Sequence, residues 1–190
     1  MGTHRCFISV DCPPNVQAAI ATFQEKFDDV PGVRLVDPAQ THVTLKFLGE
    51  IADDELDQVE ELLADAVASA DITSFEARFG RLGVFPEYDY ISVIWVGVPK
   101  GGSAMETVHE AIEARFVDAG YEPEPHDEFT PHVTIARMDH GEGKETVQAL
   151  LRTEDPDLGG TTVEEVRLKE SHLRADGPEY ETLSAVRLAT

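Results

Sequence analysis

His42-Val43-Thr44-Leu45-Lys46-Phe47-Leu48-Gly49 and His132-Val133-Thr134-Ile135-Ala136-Arg137 are two copies of one pattern, ninety residues apart (132 − 42 = 90). Each copy alternates polar and apolar side chains and is rich in β-branched residues, which predicts a strand with one buried face. Side chains at i and i+2 of a strand point to the same side. His42 and Thr44 therefore share one face, while Val43 and Leu45 turn to the core. His132 and Thr134 stand in the same relation to Val133 and Ile135.

The surroundings of the two copies match as well. A helix is predicted to start 11 residues after His42, at the acidic pair Asp53-Asp54, and 12 residues after His132, at Lys144. The next strand begins 32 residues after the first histidine (42 to 74) and 30 after the second (132 to 162). Upstream, a strand over 6–10 is broken by Asp11-Cys12-Pro13-Pro14. It is followed by a helix over about 14–29 with Val16, Ala19, Ile20, Phe23 and Phe27 at helical spacing. Val33 to Val36 reads as a short strand. Leu56, Val59, Leu62, Leu63, Ala66 and Val67 make the stripe of a second helix, to about Ala70. A strand over 74–79 leads to a connector over 80–90 containing Gly83, Phe85 and Pro86.

The pattern then restarts with a strand over 90–98. Ser103-Ala104-Met105-Glu106 fits a capping box for a helix that runs to Ala119, with Gly120 as its C-terminal cap. A helix over about 144–152 and strands over 162–169 and 180–188 complete the chain. Each half reads strand, helix, strand, helix, strand. The expected fold is α+β: two lobes related by a pseudo-twofold axis, each a mainly antiparallel sheet with helices on its outer face, enclosing a central cleft. Residues 1–190 form one domain, with lobe-level repeats at roughly 5–80 and 90–170 and a C-terminal hairpin at 171–190.

Composition bounds the class. With 42% hydrophobic residues, the 190-residue chain has the material for a packed core, and its apolar patterning excludes disorder. No apolar run approaches the ~18 residues of a membrane helix. The start, Met1-Gly2-Thr3-His4-Arg5-Cys6, runs into a strand without the layout of a signal peptide, so a cytoplasmic protein is expected. Two cysteines, Cys6 and Cys12, do not make a disulfide scaffold and are expected to be reduced.

The 37 acidic residues against 15 basic ones give a net charge of −22, which should repel a polyanion. The acids are spread along the chain, and lysine is scarce. That distribution reads as a surface adapted to a salt-rich cytosol, that of a halophile. In molar salt the Debye length falls to ~3 Å and long-range repulsion is screened. Net charge then reports habitat more than ligand.

Two pseudo-symmetric lobes would present two imidazoles and two hydroxyls to one cleft. One histidine can act as general base and the other as general acid near neutrality. The threonine hydroxyls can donate to the non-bridging oxygens of a phosphoryl group, where charge develops. In-line attack on a phosphodiester requires no metal or other cofactor in this arrangement. A zinc site at His42 and His132 would need further ligands, and neither cysteine is near them in sequence. His4, His109, His126, His140 and His172 lack the repeated setting and read as surface or core residues.

At these residues the chain resembles the 2H phosphoesterases, named for two His-x-Thr/Ser-x motifs. It resembles more closely their RNA 2′,3′-cyclic phosphodiesterase branch, historically called 2′-5′ RNA ligase. Beyond the two motifs, the matching segments include Arg5-Cys6-Phe7-Ile8-Ser9-Val10-Asp11, Gly83-Val84-Phe85-Pro86, Glu170-Ser171-His172-Leu173 and Gly177-Pro178-Glu179-Tyr180. Asp37-Pro38-Ala39-Gln40-Thr41 departs from the aromatic and asparagine that members often carry there.

The resemblance implies the 2H phosphoesterase fold and hydrolysis of a 2′,3′-cyclic phosphate to a 2′-phosphate. His132 would be the proton acceptor that activates water, and His42 the proton donor to ribose O3′. Thr44 and Thr134 would hold the phosphoryl oxygens. Arg137 is either a phosphate contact, which needs a bend in the strand, or a surface charge. Phe47 is either a base contact or a core residue. Phe7 is a further candidate for base stacking. Lys46, on the face of Thr44, either adds positive potential to the cleft or is simply solvated. The expected partners are RNA with 2′,3′-cyclic phosphate ends, such as tRNA fragments, or small cyclic nucleotides, bound by a monomer and away from membranes. ATP-independent joining of tRNA halves through a 2′-5′ linkage and a non-catalytic RNA- or nucleotide-binding module are the alternatives. The joining reaction needs no ATP-binding motif, and no P-loop pattern is seen.

Overall fold

The computed structural model describes residues 2–125 and 128–190, so His126 lies outside the described residues. The elements in chain order are β1 (Thr3–Asp11), α1 (Pro14–Gln24), β2 (Val33–Leu35), β3 (His42–Ala52), α2 (Leu56–Ser69), β4 (Phe75–Glu87) and β5 (Tyr90–Lys100). They continue as α3 (Gly102–Asp118), β6 (His132–Met138), α4 (Lys144–Thr153), β7 (Asp157–Val163), β8 (Glu165–Arg174) and β9 (Gly177–Arg187). The strands form a curled sheet in the order β7-β4-β5-β6-β3-β1-β8-β9, with β2 added to β6. Every ladder between these strands is antiparallel.

The two motif strands meet at the centre of that order through a single residue pair, Val43 opposite Val133. Outward from this pair the halves mirror each other: β3 is backed by β1 and then β8, and β6 by β5 and then β4. The two backing strands are exchanged. β4 follows α2 in sequence yet pairs with β5, and β8, which follows β7, pairs with β1. Each half of the sheet is thus completed by a strand from the other half of the sequence, which ties the lobes together.

One face of the sheet is covered by helices. Ile8, Leu45, Val133 and Ile135 from the strands and Val59, Leu63, Ile112 and Phe116 from α2 and α3 are 1% exposed or less. The apolar half of each strand's alternation meets the apolar stripe of a helix there, which leaves the His and Thr side of the motifs for the cleft. Cys6 and Cys12 are free and buried in this core, where lost hydration pushes their thiols up to about 11 and about 12.

Three local expectations change. The segment at 80–90 is not a connector. β4 runs on to Glu87, absorbing register shifts at Gly80 and near Pro86, and turns over two residues into β5. The capping box at Ser103 does not form, because the N-cap lies two residues earlier, at Gly101, which holds a left-handed φ of 84°. A Cβ at Gly101 would also lie 2.6 Å from the Glu76 carbonyl, so glycine is required at that turn. The strand expected over 162–169 divides into the ends of β7 and β8.

Candidate active site

Residue by residue, 41–50 and 131–140 show the same succession of buried, half-buried and exposed positions. The shared pattern places His42 and Thr44, and likewise His132 and Thr134, half-exposed on one side, with Val43, Leu45, Val133 and Ile135 buried on the other. Because Val43 faces Val133 in an antiparallel register, His42 lies on the side of Thr134 and Thr44 on the side of His132. The two motifs form one constellation about that pair.

The shared pattern also contains a shared irregularity. In β3, Ser9 faces Thr44 but Ile8 faces Lys46, so Leu45 is an extra residue. In β6, Trp95 faces Thr134 but Ile94 faces Ala136, so Ile135 is extra. Each is a β-bulge one residue past the motif threonine, and a bulge reverses the alternation beyond it. The residue five past each histidine is thereby returned to the cleft: Phe47 in one lobe, Arg137 in the other. Phe47 is 63% exposed. Arg137 lies close enough to His132 for its charge to disfavour the imidazolium. The bend that Arg137 needed is this bulge.

The same bulge overturns the expectation for Lys46. Alternation from Thr44 would send it to the cleft, but the extra residue turns it inward, where it is 1% exposed. Its Nζ donates to Glu113 Oε2 on α3 at 2.6 Å and to the Glu122 carbonyl at 3.0 Å. Lys46 is a buried strut and adds no free charge to the cleft. Phe7 is also corrected. At 4% exposure it presents little face to a base. Its ring packs instead against His42 at 5.0 Å, Tyr180 at 5.1 Å and Phe47 at 6.3 Å, so it supports the exposed Phe47.

Both motif histidines are held the same way. Nδ1 of His42 donates to the Gln40 carbonyl at 2.8 Å, and Nδ1 of His132 to the Thr130 carbonyl at 2.7 Å. A carbonyl only accepts, so in the neutral rings Nδ1 carries the proton and Nε2 is left as a base. Aromatic neighbours fix each ring. Tyr180 stands edge-on to His42 at 5.1 Å, and Phe85 edge-on to His132 at 4.9 Å, with Trp95 at 5.9 Å. Burial is the largest cause acting on both imidazoles and lowers both below the ordinary histidine value. The Gln40 and Thr130 carbonyls oppose the shift, and Lys169 near His42 and Arg137 near His132 add to it.

The pseudo-symmetry breaks beside the rings. By register, Asp11 of β1 stands opposite His42, where β5 offers Gly97 opposite His132. Asp11 Oδ2 accepts from Lys169 Nζ and from Arg167, each at 2.9 Å, and Oδ1 accepts from Ser9 at 3.0 Å. On the other side Trp95 fills the space. Its ring lies so close over β4 that a Cβ on Gly83 would come within 2.3 Å of it. His42 thus has a partly buried ion pair for a neighbour, and His132 an indole.

Sequence reasoning also passed over His109. From α3 its Nδ1 donates to the Leu45 carbonyl at 2.7 Å, at the bulge residue itself, and its ring stacks on Phe129 at 4.1 Å. Phe129 lies three residues before His132. One helix face therefore braces the bulge of the first motif and the approach to the second. A histidine and an acid four apart, His109 and Glu113, were the only signal of this.

The family described as the 2′-5′ RNA ligase superfamily matches residues 12–174. A curated protein named RNA 2′,3′-cyclic phosphodiesterase from Methanocaldococcus jannaschii is 29% identical over 180 residues, 94% of this chain and 98% of that protein. One of the same name from Aeropyrum pernix is 33% identical over 159 residues, 83% of this chain and 88% of the other. Among solved structures, the protein TT0787 of Thermus thermophilus superposes with a TM-score of 0.79 at 28% identity, covering 97% of both chains.

Proposed function

This chain belongs to the 2′-5′ RNA ligase superfamily, and from that premise we propose that it is an RNA 2′,3′-cyclic phosphodiesterase, opening the cyclic phosphate to a 2′-phosphate. The observation that carries the reading is the paired constellation itself: two histidines and two threonines, related about the Val43–Val133 pair, with Nδ1 of each imidazole committed to a carbonyl. Curated relatives bearing that name match 83% to 97% of the chain. No helix among the described residues is long and apolar enough to cross a membrane.

In this reading His132 Nε2 takes a proton from water as the water oxygen bonds to phosphorus. The P–O3′ bond breaks, and O3′ takes the proton carried by His42 Nε2. The products are a 2′-phosphate and a free 3′-hydroxyl, and solvent resets the two imidazoles. The Thr44 and Thr134 hydroxyls donate to the non-bridging oxygens, and Arg137 adds positive charge there. Phe47 offers its exposed ring to the base. The enzyme acts as a monomer in the cytoplasm, on RNA ends such as tRNA fragments.

The test is end analysis of an RNA carrying a 2′,3′-cyclic phosphate, with EDTA present. Conversion to a 2′-phosphate is expected, and a joined product from paired tRNA halves in place of hydrolysis would favour ligation. Run from low to molar potassium chloride, the same assay reads the acidic surface. Turnover is expected to rise with salt as the −22 net charge is screened. A steady fall would remove the salt-adapted reading.

The pH dependence follows from the two rings. Productive enzyme has His132 neutral and His42 protonated, so kcat/KM should trace a bell between their two pKa values. Burial lowers both, and the optimum is expected on the acid side of the ordinary histidine value of about 6.5. A kcat/KM profile that peaks well above neutrality would contradict it.

A further inference from the structure

Nine of the fifteen lysines and arginines are tied to Asp or Glu in ion pairs among the described residues. Lys144 donates to the Asp89 carbonyl and Arg152 to the Tyr88 hydroxyl. That leaves Arg5, Arg81, Arg137 and Arg187 with neither an ion pair nor a side-chain hydrogen bond among the described residues. In a chain with 37 acidic residues, a guanidinium without a partner is a departure. Even Glu50, directly across the ladder from Arg5, makes no ion pair with it.

Two of the four face the cleft. Arg137 is turned there by its bulge. Arg5 lies two residues before Phe7 on β1, on the same face and about 7 Å further along the strand. Both act on the Tyr180 phenol, where their positive charge favours the phenolate against the larger opposing effect of burial. Tyr180 in turn stands 5.1 Å from His42. The cleft floor therefore runs from His42, past Phe7 and the exposed Phe47, to Arg5. Arg137 sits by the reacting phosphate, near His132. Arg5 sits two residues along β1 from Phe7, which stands opposite Phe47, the aromatic ring that would take the base.

We propose that Arg5 binds the phosphate on the 5′ oxygen of the terminal nucleoside, so that the preferred substrate is a cyclic-phosphate end that also carries a 5′ phosphate. This rests on the cyclic phosphodiesterase reading and narrows it. The free guanidinium is a planar fork of donors suited to phosphate oxygens. In this binding mode a base stacked on Phe47, with its cyclic phosphate between His42 and His132, has its 5′ side along β1, where Arg5 stands two residues from the Phe7–Phe47 pair. A polynucleotide end supplies that phosphate as its last internucleotide linkage. A nucleoside cyclic phosphate with a 5′-phosphate supplies it alone. With Lys46 buried against Glu113, Arg5 is the cation on this lobe of the cleft that has no acid partner among the described residues.

The experiment compares kcat/KM for adenosine 2′,3′-cyclic phosphate, its 5′-phosphorylated form and the dinucleotide ApA with a 2′,3′-cyclic end. It is run on the natural protein, Arg5→Met and Arg187→Met. Arg187 lies seven residues past Tyr180 on β9, about 24 Å along the strand, and serves as a control for net charge. The natural protein should favour both phosphate-bearing substrates by about tenfold, mostly through KM, as one charge-assisted contact allows. Arg5→Met should bring that ratio close to one, and Arg187→Met should leave it as in the natural protein. The proposal is overturned if Arg5→Met keeps the ratio, if Arg187→Met lowers it equally, or if only the dinucleotide gains. The last result would assign the preference to the second nucleoside. Turnover of all three substrates without preference rejects Arg5 alone, and turnover of none rejects the underlying reaction.

Discussion

Replacing His42 or His132 with alanine should lower kcat on a 2′,3′-cyclic phosphate by about 10²–10⁴-fold in each case. Each imidazole has its Nδ1 tied to a carbonyl and only Nε2 free, so each ring serves one proton transfer. The double variant should be little worse than the poorer single one, because groups that act as one unit do not contribute additively. The fold should survive, since both rings lie half-exposed on the cleft face while Val43 and Val133, their neighbours in sequence, carry the core. Circular dichroism and thermal melting of the variants check that. The pH profiles of the residual rates separate the roles. His132→Ala should lose the rise on the acid side, which reports the base, and His42→Ala the fall on the alkaline side, which reports the acid. Near-full activity in either variant would sink the two-histidine mechanism.

The reach and the limits of the sequence have one physical source, strand alternation. His42, Thr44, His132 and Thr134 obey period two, so their common face and their opposition to Val43 and Val133 are legible from residue type alone. The pairing of the two halves is legible because His-Val-Thr recurs at matched distances from its helices. What fails lies past the bulges. An extra residue in a strand leaves no mark in composition, yet it reverses every face beyond it. Alternation therefore places Lys46 in the cleft when it is buried under α3, and it gives Arg137 and Phe47 a contradiction that only the bulge resolves.

Long-range partners are equally hidden. Asp11, Lys169 and Arg167 meet across 156 and 158 residues of sequence, and His109 reaches Leu45 across 64. Spacing rules describe neighbours along one element and say nothing of these. The exchange of β4 and β8 between the halves has the same character. Each strand is recognisable for what it is, at least in part, but the strand it pairs with is a property of the whole sheet. The acidic composition, at first an obstacle to a nucleic-acid ligand, gains its use only once the ion pairs are known, because they identify which cations are left over.

Removing the carboxylate beneath the first bulge, Glu113→Leu, should lower stability substantially. Glu113 Oε2 accepts from Lys46 Nζ at 2.6 Å, and its Oε1 accepts from the Glu124 backbone at 2.8 Å. Glu124 in turn accepts from the Phe47 backbone N–H at 2.9 Å. In Glu113→Leu the Lys46 ammonium, 1% exposed, keeps only the Glu122 carbonyl. An uncompensated buried charge costs about 3–5 kcal/mol. Glu113 retains 22% exposure, so water can reach part of the site, and the lower figure of about 2–3 kcal/mol applies. For a chain of this length that is a fall of about 4–12 °C in Tm. Lys46→Met combined with Glu113→Leu should recover most of it, because two apolar side chains of similar volume leave no charge stranded. A Glu113→Leu variant melting within a degree of the natural protein would show that Lys46 finds water there. The double variant then separates stability from position. If the ion pair is what holds the bulge, Phe47 loses its fixed place, and KM for the nucleotide stays raised although Tm has returned. If Leu45 packing and the His109 bond to its carbonyl hold the bulge by themselves, KM recovers together with Tm.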